Sequence, residues 1–158
     1  DQRKSTTGFV ALFYGGAGTS KSKKQPIIAD STTVAELVAL SDASREAKWL
    51  SWLIAEFGVS PNYRVFEKNI KSEVDPVKIY EDNNGVISIS KHQMVSQRTK
   101  HVEIRYFIVQ ELVATQIVVV LRVDTTKNLA DVFTKALSDK KHWEMAQWLF
   151  KGVNPMEL

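Results

Sequence analysis

The sequence predicts one α/β domain in which a mixed sheet is flanked by helices. Two kinds of segment alternate along the 158 residues. Short runs rich in β-branched and aromatic residues indicate strands, and longer runs with apolar residues every three or four positions indicate helices. Two strand-like segments come first, and helices and strands then alternate. An antiparallel hairpin that leads into such connections is typical of a mixed sheet with helices packed on it.

The first two segments predict a β-hairpin. Residues 6–14 are rich in aromatic and β-branched side chains and are followed by two glycines, which indicates a strand closed by a turn. Residues 17–24 are small, polar and basic, and we interpret them as the hairpin loop. Residues 25–29 form a short apolar run, which predicts the second strand.

A long helix is predicted at residues 33–57, ended by Gly58. Residues 60–75 are polar and contain scattered aromatic residues, which indicates a loop. The apolar residues at helical spacing are Leu37, Leu40, Ala43, Ala47, Leu50, Ile54 and Phe57.

The second half of the chain predicts further elements of both kinds. We expect residues 1–150 to form the domain and residues 151–158 to be a loose tail. The four tryptophans, Trp49, Trp52, Trp143 and Trp148, are expected to pack in the core or between helices. The predicted elements are a strand at 77–81, a helix at 83–90, a loop at 91–99, a helix at 101–115, a strand at 117–123, and helices at 128–136 and 139–150.

Composition excludes several classes of protein. The chain has no cysteine, which excludes disulfides and thiolate metal sites and agrees with a reducing compartment. The longest apolar run, residues 117–121, is too short to cross a bilayer, and no signal-peptide pattern is visible. We therefore expect an intracellular protein that is neither membrane-bound nor secreted. The sequence carries no indication of oligomeric state.

The modest net charge of +3 conceals two clusters of basic residues. Such clusters can contact phosphate groups, and an ordinary solvated surface explains them equally well. The clusters are Lys21, Lys23 and Lys24, and Arg98, Lys100 and Arg105.

Three carboxylates fall at element boundaries: Glu36 at the start of the long helix, Asp82 directly after a strand, and Asp131 at the start of a later helix. Strand ends and helix starts that share one sheet edge form a cleft, where these acids can converge. Converging acids without cysteines or paired histidines favour Mg²⁺ or Mn²⁺. Each acid is also typical of a helix cap or a turn, with Thr33 and Glu36 matching a capping box. Taken singly, the structural interpretation is favoured.

Six blocks in the right order favour the functional interpretation. Together they resemble the ribonuclease H domain of copia-type retrotransposon polyproteins over residues 1–137, and each block by itself is weakly specific. The blocks are Arg-Lys-Ser-Thr-Thr-Gly at 3–8, Ser-Lys-Lys-Gln at 22–25, Ala-Glu-Leu-Val-Ala-Leu at 35–40, Tyr-Glu-Asp-Asn at 80–83, Arg-Thr-Lys-His-Val-Glu-Ile at 98–104 and Leu-Ala-Asp-Val-Phe-Thr-Lys-Ala-Leu at 129–137.

The resemblance implies a specific chemistry. Members of this family hydrolyse the RNA strand of RNA–DNA hybrids with two Mg²⁺ (or Mn²⁺) ions held by four acids. Glu36, Asp82 and Asp131 match the second, third and fourth of these acids. The resemblance also implies an RNA–DNA hybrid and the reverse transcriptase domain of the same polyprotein as partners. A cytoplasmic particle or the nucleus is the implied location.

The same resemblance points to residues that contact the nucleic acid. Asn83 adjoins the third acid, and Arg98, Lys100 and His101 lie in a basic block. They are candidates for backbone contacts with a hybrid, which is recognised through groove shape and 2′-hydroxyls. For each of the three basic residues, an ordinary surface position is as good an explanation.

The chain departs from the family pattern at its start. The first acid of the family lies on a central strand upstream of the block at 3–8, whereas this chain begins at Asp1, which is not its equivalent. We therefore expect a ribonuclease H-like sheet that lacks the first, central strand, and little or no nuclease activity. Val34 and Phe107 also differ from the residues usual in the family, which has glutamate and histidine there.

Two other functions compete with this assignment. The first is a truncated or domesticated module that keeps the fold and binds nucleic acid or protein without catalysis. The second is nucleotide binding, since residues 15–22 resemble a P-loop. That segment has Ser20 where the motif needs glycine, and it precedes a strand instead of a helix.

Overall fold

The computed structural model describes residues 4–13, 16–57, 76–91 and 100–151. The predicted loop at 60–75, Gly58, Arg98, most of the predicted loop at 91–99 and the tail from residue 152 lie outside these ranges. The elements are β1 (Thr6–Phe13), β2 (Gly16–Lys24), α1 (Thr32–Glu56), β3 (Val77–Glu81), α2 (Asn84–Lys91), α3 (Lys100–Ala114), β4 (Val118–Arg122), two short 3-10 helices (Thr125–Lys127 and Leu129–Phe133) and α4 (Asp139–Lys151).

The hairpin differs from its prediction in the second strand. β1 and β2 pair antiparallel from Thr6 opposite Lys24 to Phe13 opposite Gly16. The prediction of a loop at 17–24 and a strand at 25–29 is wrong. β2 is polar, but it pairs with β1, which supplies its backbone hydrogen bonds. Pairing with a neighbouring strand can outweigh the low strand propensity of a segment's own residues. An edge strand also tolerates lysine and serine on its exposed face.

This strand also bears on the nucleotide-binding alternative. Residues 16–22, the described part of the P-loop-like segment, lie within β2. A P-loop instead cradles phosphates on a glycine-rich loop that opens a helix. The P-loop interpretation of this segment is therefore wrong.

Helix α1 begins at a serine cap. The Ser31 hydroxyl accepts a hydrogen bond from the Val34 amide at 3.2 Å, and the Ser31 carbonyl accepts one from the Ala35 amide at 3.1 Å. A serine at this position satisfies amides that have no partner within the helix. The predicted long helix is confirmed, although Phe57, at its end, is 70% exposed. The residues that α1 buries are Leu37, Val38, Leu40, Ser41, Ser44 and Ala55.

β3 and β4 form a parallel pair, with Val77 opposite Val118 and Glu81 opposite Arg122. Parallel strands require a crossover, which α2 and α3 provide. The Val123 amide donates to the Glu81 carbonyl at 3.0 Å and extends the pairing at the carboxyl end of β3.

The described strands form two two-stranded sheets, the antiparallel β1–β2 and the parallel β3–β4. The α/β class with both strand directions is confirmed, and the described strands do not form a full central sheet, in line with the expected ribonuclease H-like sheet without its first strand. α1 contacts strands of both sheets and thereby connects them. The core lies between α1, α2, α3 and β4, and its buried members are Leu37, Leu40, Val86, Val109 and Val120.

Several large apolar side chains are exposed. Ile104 and Phe107 on α3 are 70% and 54% exposed, and Val109 and Leu112 face inward instead. Apolar residues surround α3 on most sides, so packing decides which of them are buried. The expectation for the tryptophans is wrong in three of four cases, since only Trp148 is half-buried. The exposed ones are Trp49, Trp52 and Trp143.

The segment predicted as a helix at 128–136 is a 3-10 helix, Leu129–Phe133, which we call the 129–133 turn. Its position depends on Gly8, because a Cβ there would lie 2.4 Å from Cγ2 of Thr134. Ser22 also donates its hydroxyl to the Phe133 carbonyl at 2.7 Å. A glycine in β1 and a serine in β2 thus hold this turn against the hairpin.

None of the helices in the described ranges is long and apolar enough to span a membrane.

Candidate active site

The three predicted acids lie in or next to three different elements. Asp82 follows β3 directly, and Asp131 lies within the 129–133 turn. Glu36 lies just beyond the first turn of α1, the turn in which it was predicted, because the helix already begins at Thr32. Glu36 and Asp82 are partly buried, whereas Asp131 is 3% exposed.

The sequence also allowed these three acids to be helix caps. In the structure, neighbouring polar residues are the caps instead. Ser31 caps α1, so Glu36 is not part of a capping box. The Asn83 side chain accepts hydrogen bonds from the Gly85 and Val86 amides at 2.8 and 3.3 Å at the start of α2. Asn128 accepts from the Ala130 amide at 3.1 Å and caps the 129–133 turn. The local structure therefore does not require a carboxylate at any of the three predicted positions.

A lysine pairs with Asp131 and lies within electrostatic range of the other two acids. Nζ of Lys135 is 2.8 Å from Oδ1 of Asp131, and Nζ of Lys141 is 3.8 Å from Oδ2 of the same carboxylate. Partial burial lowers the pKa of Lys135, but the hydrogen bond to Asp131 and the charges of Asp131, Asp82 and Glu36 raise it above its ordinary value. All three acids thus act on one ammonium group.

Glu36 and Asn83 connect α1 to the end of β3. The Asn83 side-chain amide donates a hydrogen bond to Oε2 of Glu36. Burial raises the pKa of Glu36, and the charges of Asp82 and Asp131 raise it further, although the bond from Asn83 and the charge of Lys135 oppose the shift. Glu36 therefore lies within electrostatic range of both other predicted acids.

Glu81 is a fourth acid of this region that sequence reasoning missed. Its Oε1 accepts hydrogen bonds from the Asp82 and Asn83 amides, both at 3.1 Å. Burial, together with the charges of Glu36 and Asp82, raises the pKa of Glu81 to about 7. The alternation of side chains along a strand could have indicated its burial. Glu81 lies on the same face of β3 as Ile79, which packs against the core.

These residues have the donor chemistry that Mg²⁺ prefers, since carboxylate oxygens are its usual protein ligands. The Lys135 ammonium beside Asp131 shows that a cation is stabilised here. Within the described ranges, no three or more His, Cys, Asp or Glu side chains are grouped closely enough to hold a metal ion. The residue types fit a divalent cation, whereas the spacing of the described side chains does not form a ready ligand set, so that set stays a prediction.

The structure describes only some of the residues predicted to contact nucleic acid. Asn83 has its amide engaged with both Glu36 and the start of α2. Arg98 lies outside the described residues, and Lys100 and His101 lie in the first turn of α3, where their side chains are not described.

The structure also joins the two predicted basic clusters. Asp42 on α1 accepts a hydrogen bond from Lys21 of β2 at 3.0 Å and from Arg105 of α3 at 3.2 Å. Both bases are therefore engaged in holding the hairpin and α3 to α1, which is a structural role.

Among known proteins, the chain is similar to several retrovirus-related Pol polyproteins. The chain is 35% identical over 141 residues to the retrovirus-related Pol polyprotein from transposon TNT 1-94 of Nicotiana tabacum. It is 28% and 29% identical over 138 residues to the retrovirus-related Pol polyproteins from transposons RE2 and RE1 of Arabidopsis thaliana.

These alignments cover most of this chain and little of each relative. The first covers 89% of the chain and 10% of the relative, and the other two cover 87% of the chain and 9% of each relative. No family model and no solved structure matches the chain. The chain is therefore homologous to one segment of transposon-encoded, retrovirus-related Pol polyproteins, spanning about a tenth of their length.

Proposed function

We propose that this chain is the ribonuclease H domain of a copia-type retrotransposon polyprotein and that it hydrolyses the RNA strand of RNA–DNA hybrids. The observation that carries the proposal is the pair of contacts around the predicted acids: Asn83, which follows Asp82, donates to Glu36, and Lys135 forms an ion pair with Asp131. Acids brought together from three separate elements, none needed as a helix cap, are typical of a site that binds cations. The similarity to Pol polyproteins supports the same assignment.

Each residue has a proposed role. Two Mg²⁺ ions, when bound, would activate water and stabilise charge on the leaving 3′ oxygen. Glu36, Asp82 and Asp131 would hold these ions, and Asn83 orients Glu36 through its side-chain amide. The hybrid would contact Lys100 and His101 at the start of α3. The reverse transcriptase domain of the same polyprotein is the proposed protein partner.

A hybrid-cleavage assay tests the proposal. A labelled RNA–DNA hybrid, with the corresponding DNA duplex as control, is incubated with the 158-residue chain in Mg²⁺ or in EDTA. We expect weak, Mg²⁺-dependent cleavage of the RNA strand alone, because the chain supplies three of the family's four acids. Asp82→Asn should abolish it, whereas Asp30→Asn, at an exposed position before α1, should leave it unchanged.

Two results would contradict the proposal: cleavage that persists in Asp82→Asn, and equal cleavage of the DNA duplex. Robust turnover at ordinary enzyme concentration would contradict only the expected weakness of the isolated chain.

A second function is favoured by a specific observation. Both oxygens of Asp131 face lysine ammonium groups, and the described residues contain no ready-made metal cluster. These features suit a module that binds a hybrid without cleaving it. Tight hybrid binding that Asp82→Asn does not change, without cleavage even after an upstream strand with an aspartate is added, would favour this module.

A further inference from the structure

Asp131 is a fixed, buried carboxylate with two cationic partners. Its side chain is 5% exposed, and it lies in a turn that Asn128 caps. The Lys135 amide donates to the Asp131 carbonyl at 3.0 Å, which further fixes the backbone at the acid. A buried carboxylate needs a cation or hydrogen-bond donors nearby, because burial removes the water that would otherwise solvate it.

The two lysines differ from Asp131 in mobility. The Lys135 side chain is 53% exposed and the Lys141 side chain 33% exposed, so both ammonium groups border solvent. A lysine is a flexible chain that can rotate its ammonium into water without moving the backbone. The acid is therefore held in place, and its partner can leave.

We propose that Lys135, assisted by Lys141, is a positioning residue that competes with a divalent cation for the Asp131 carboxylate. This inference rests on the proposed function, since it concerns the same acids. A divalent cation and an ammonium group at one carboxylate repel each other, so binding of the cation displaces Lys135 toward solvent. Without a cation, Lys135 offsets the mutual repulsion of Glu36, Asp82 and Asp131.

Removing the charge of Lys135 therefore has two opposite effects. Cation binding tightens, because no ammonium has to be displaced. The chain without cation becomes less stable, because Lys141, at 3.8 Å, is then the one ion-pair partner of Asp131 among the described residues. A lysine with a merely structural role would lower stability without tightening cation binding, so the pair of measurements separates the two roles.

The test uses Mn²⁺ as the probe and the full 158-residue chain. Electron paramagnetic resonance of free Mn²⁺ gives the dissociation constant, and thermal unfolding in EDTA gives the stability. We expect Lys135→Met to bind Mn²⁺ about tenfold more tightly than the unmodified chain and to unfold at a lower temperature. Lys135→Arg keeps the charge and should bind within about twofold of the unmodified chain. Lys140→Met, at an exposed position on α4, is the matched control and should change neither quantity.

Lys141→Met serves as a second variant if Lys135→Met does not fold, and it should tighten Mn²⁺ binding by a smaller factor. The inference is overturned, and the proposed function stands, if the unmodified chain binds Mn²⁺ and neither methionine variant binds it more tightly. If no chain, including Lys135→Met, binds Mn²⁺, both the inference and the proposed metal site are overturned.

Discussion

Glu81 shows how neighbouring acids change the ionisation of a single residue. Its pKa of about 7 results first from burial and then from the charges of Glu36 and Asp82. An acid whose pKa is raised by folding stabilises the folded state fully below its unfolded value, here 4.5. That contribution is lost as the pH rises through the folded value.

This shift predicts the behaviour of Glu81→Gln in EDTA. The glutamine retains an oxygen that can accept from the Asp82 and Asn83 amides but carries no charge. Since one pKa unit corresponds to about 1.4 kcal/mol, the variant should exceed the original chain in stability at pH 8 by up to about 3 kcal/mol. At pH 4.5 the two should differ little. Urea unfolding at both pH values measures this, with Glu56→Gln as the control. A variant that gains nothing between pH 4.5 and pH 8 would contradict the assigned environment of Glu81.

The predicted acids illustrate what a sequence can establish about single residues. The sequence identified three candidate site residues, Glu36, Asp82 and Asp131. It could not separate a helix cap from a metal ligand, because both use the same residue types in the same positions. Only three-dimensional structure assigns the caps to Ser31 and the two asparagines instead. Lys135 was missed as a site residue even though Asp131 and Lys135 have the i,i+4 spacing of a helical ion pair.

At the scale of elements, the end of α3 contains a strained residue. Gln116 has a φ of 57°. The Ile117 amide donates to the Leu112 carbonyl at 3.0 Å, and the Gln116 amide donates to the Val113 carbonyl at 3.1 Å. This is the Schellman arrangement, whose left-handed position is usually occupied by glycine.

Gln116→Gly should therefore stabilise the chain by about 0.5–1 kcal/mol, since glycine relieves the left-handed strain and loses part of that gain through its greater freedom when unfolded. Chemical denaturation measures the change. Thr115→Gly, one residue earlier, where φ is not positive, is the control and should destabilise. If both glycines destabilise equally, the left-handed turn is not a source of strain.

Elements with strong periodicity were predicted well. β3 has the predicted bounds, and α1, α3 and α4 each lie within about one residue of theirs. β2 was not predicted because its strand character comes from pairing with β1 and not from its own residues. The inward face of α3 was also not predictable, because apolar residues on several sides compete for burial and tertiary contacts decide between them.

At the scale of the whole molecule, the candidate site lies where distant segments meet. α1 connects the two sheets, Gly8 lets the 129–133 turn approach the hairpin, and β3 ends at Glu81. That strand ends and helix starts share an edge was predictable from their order along the chain. Other contacts depend on packing, which the order of elements along the chain does not determine. They are the two lysines at Asp131 and the ion pairs of Asp42 with Lys21 and Arg105.

The central claim is that Glu36, Asp82 and Asp131 bind the same divalent cation. Its most direct test is the nuclear magnetic resonance spectrum of the backbone amides during titration with small amounts of Mn²⁺, which broadens only nearby resonances. We predict that the amides of these three residues broaden together at the lowest concentrations, whereas that of Thr115, which precedes the opposite end of β4, is unaffected. Broadening of one acid without the others, or of none, would contradict the account.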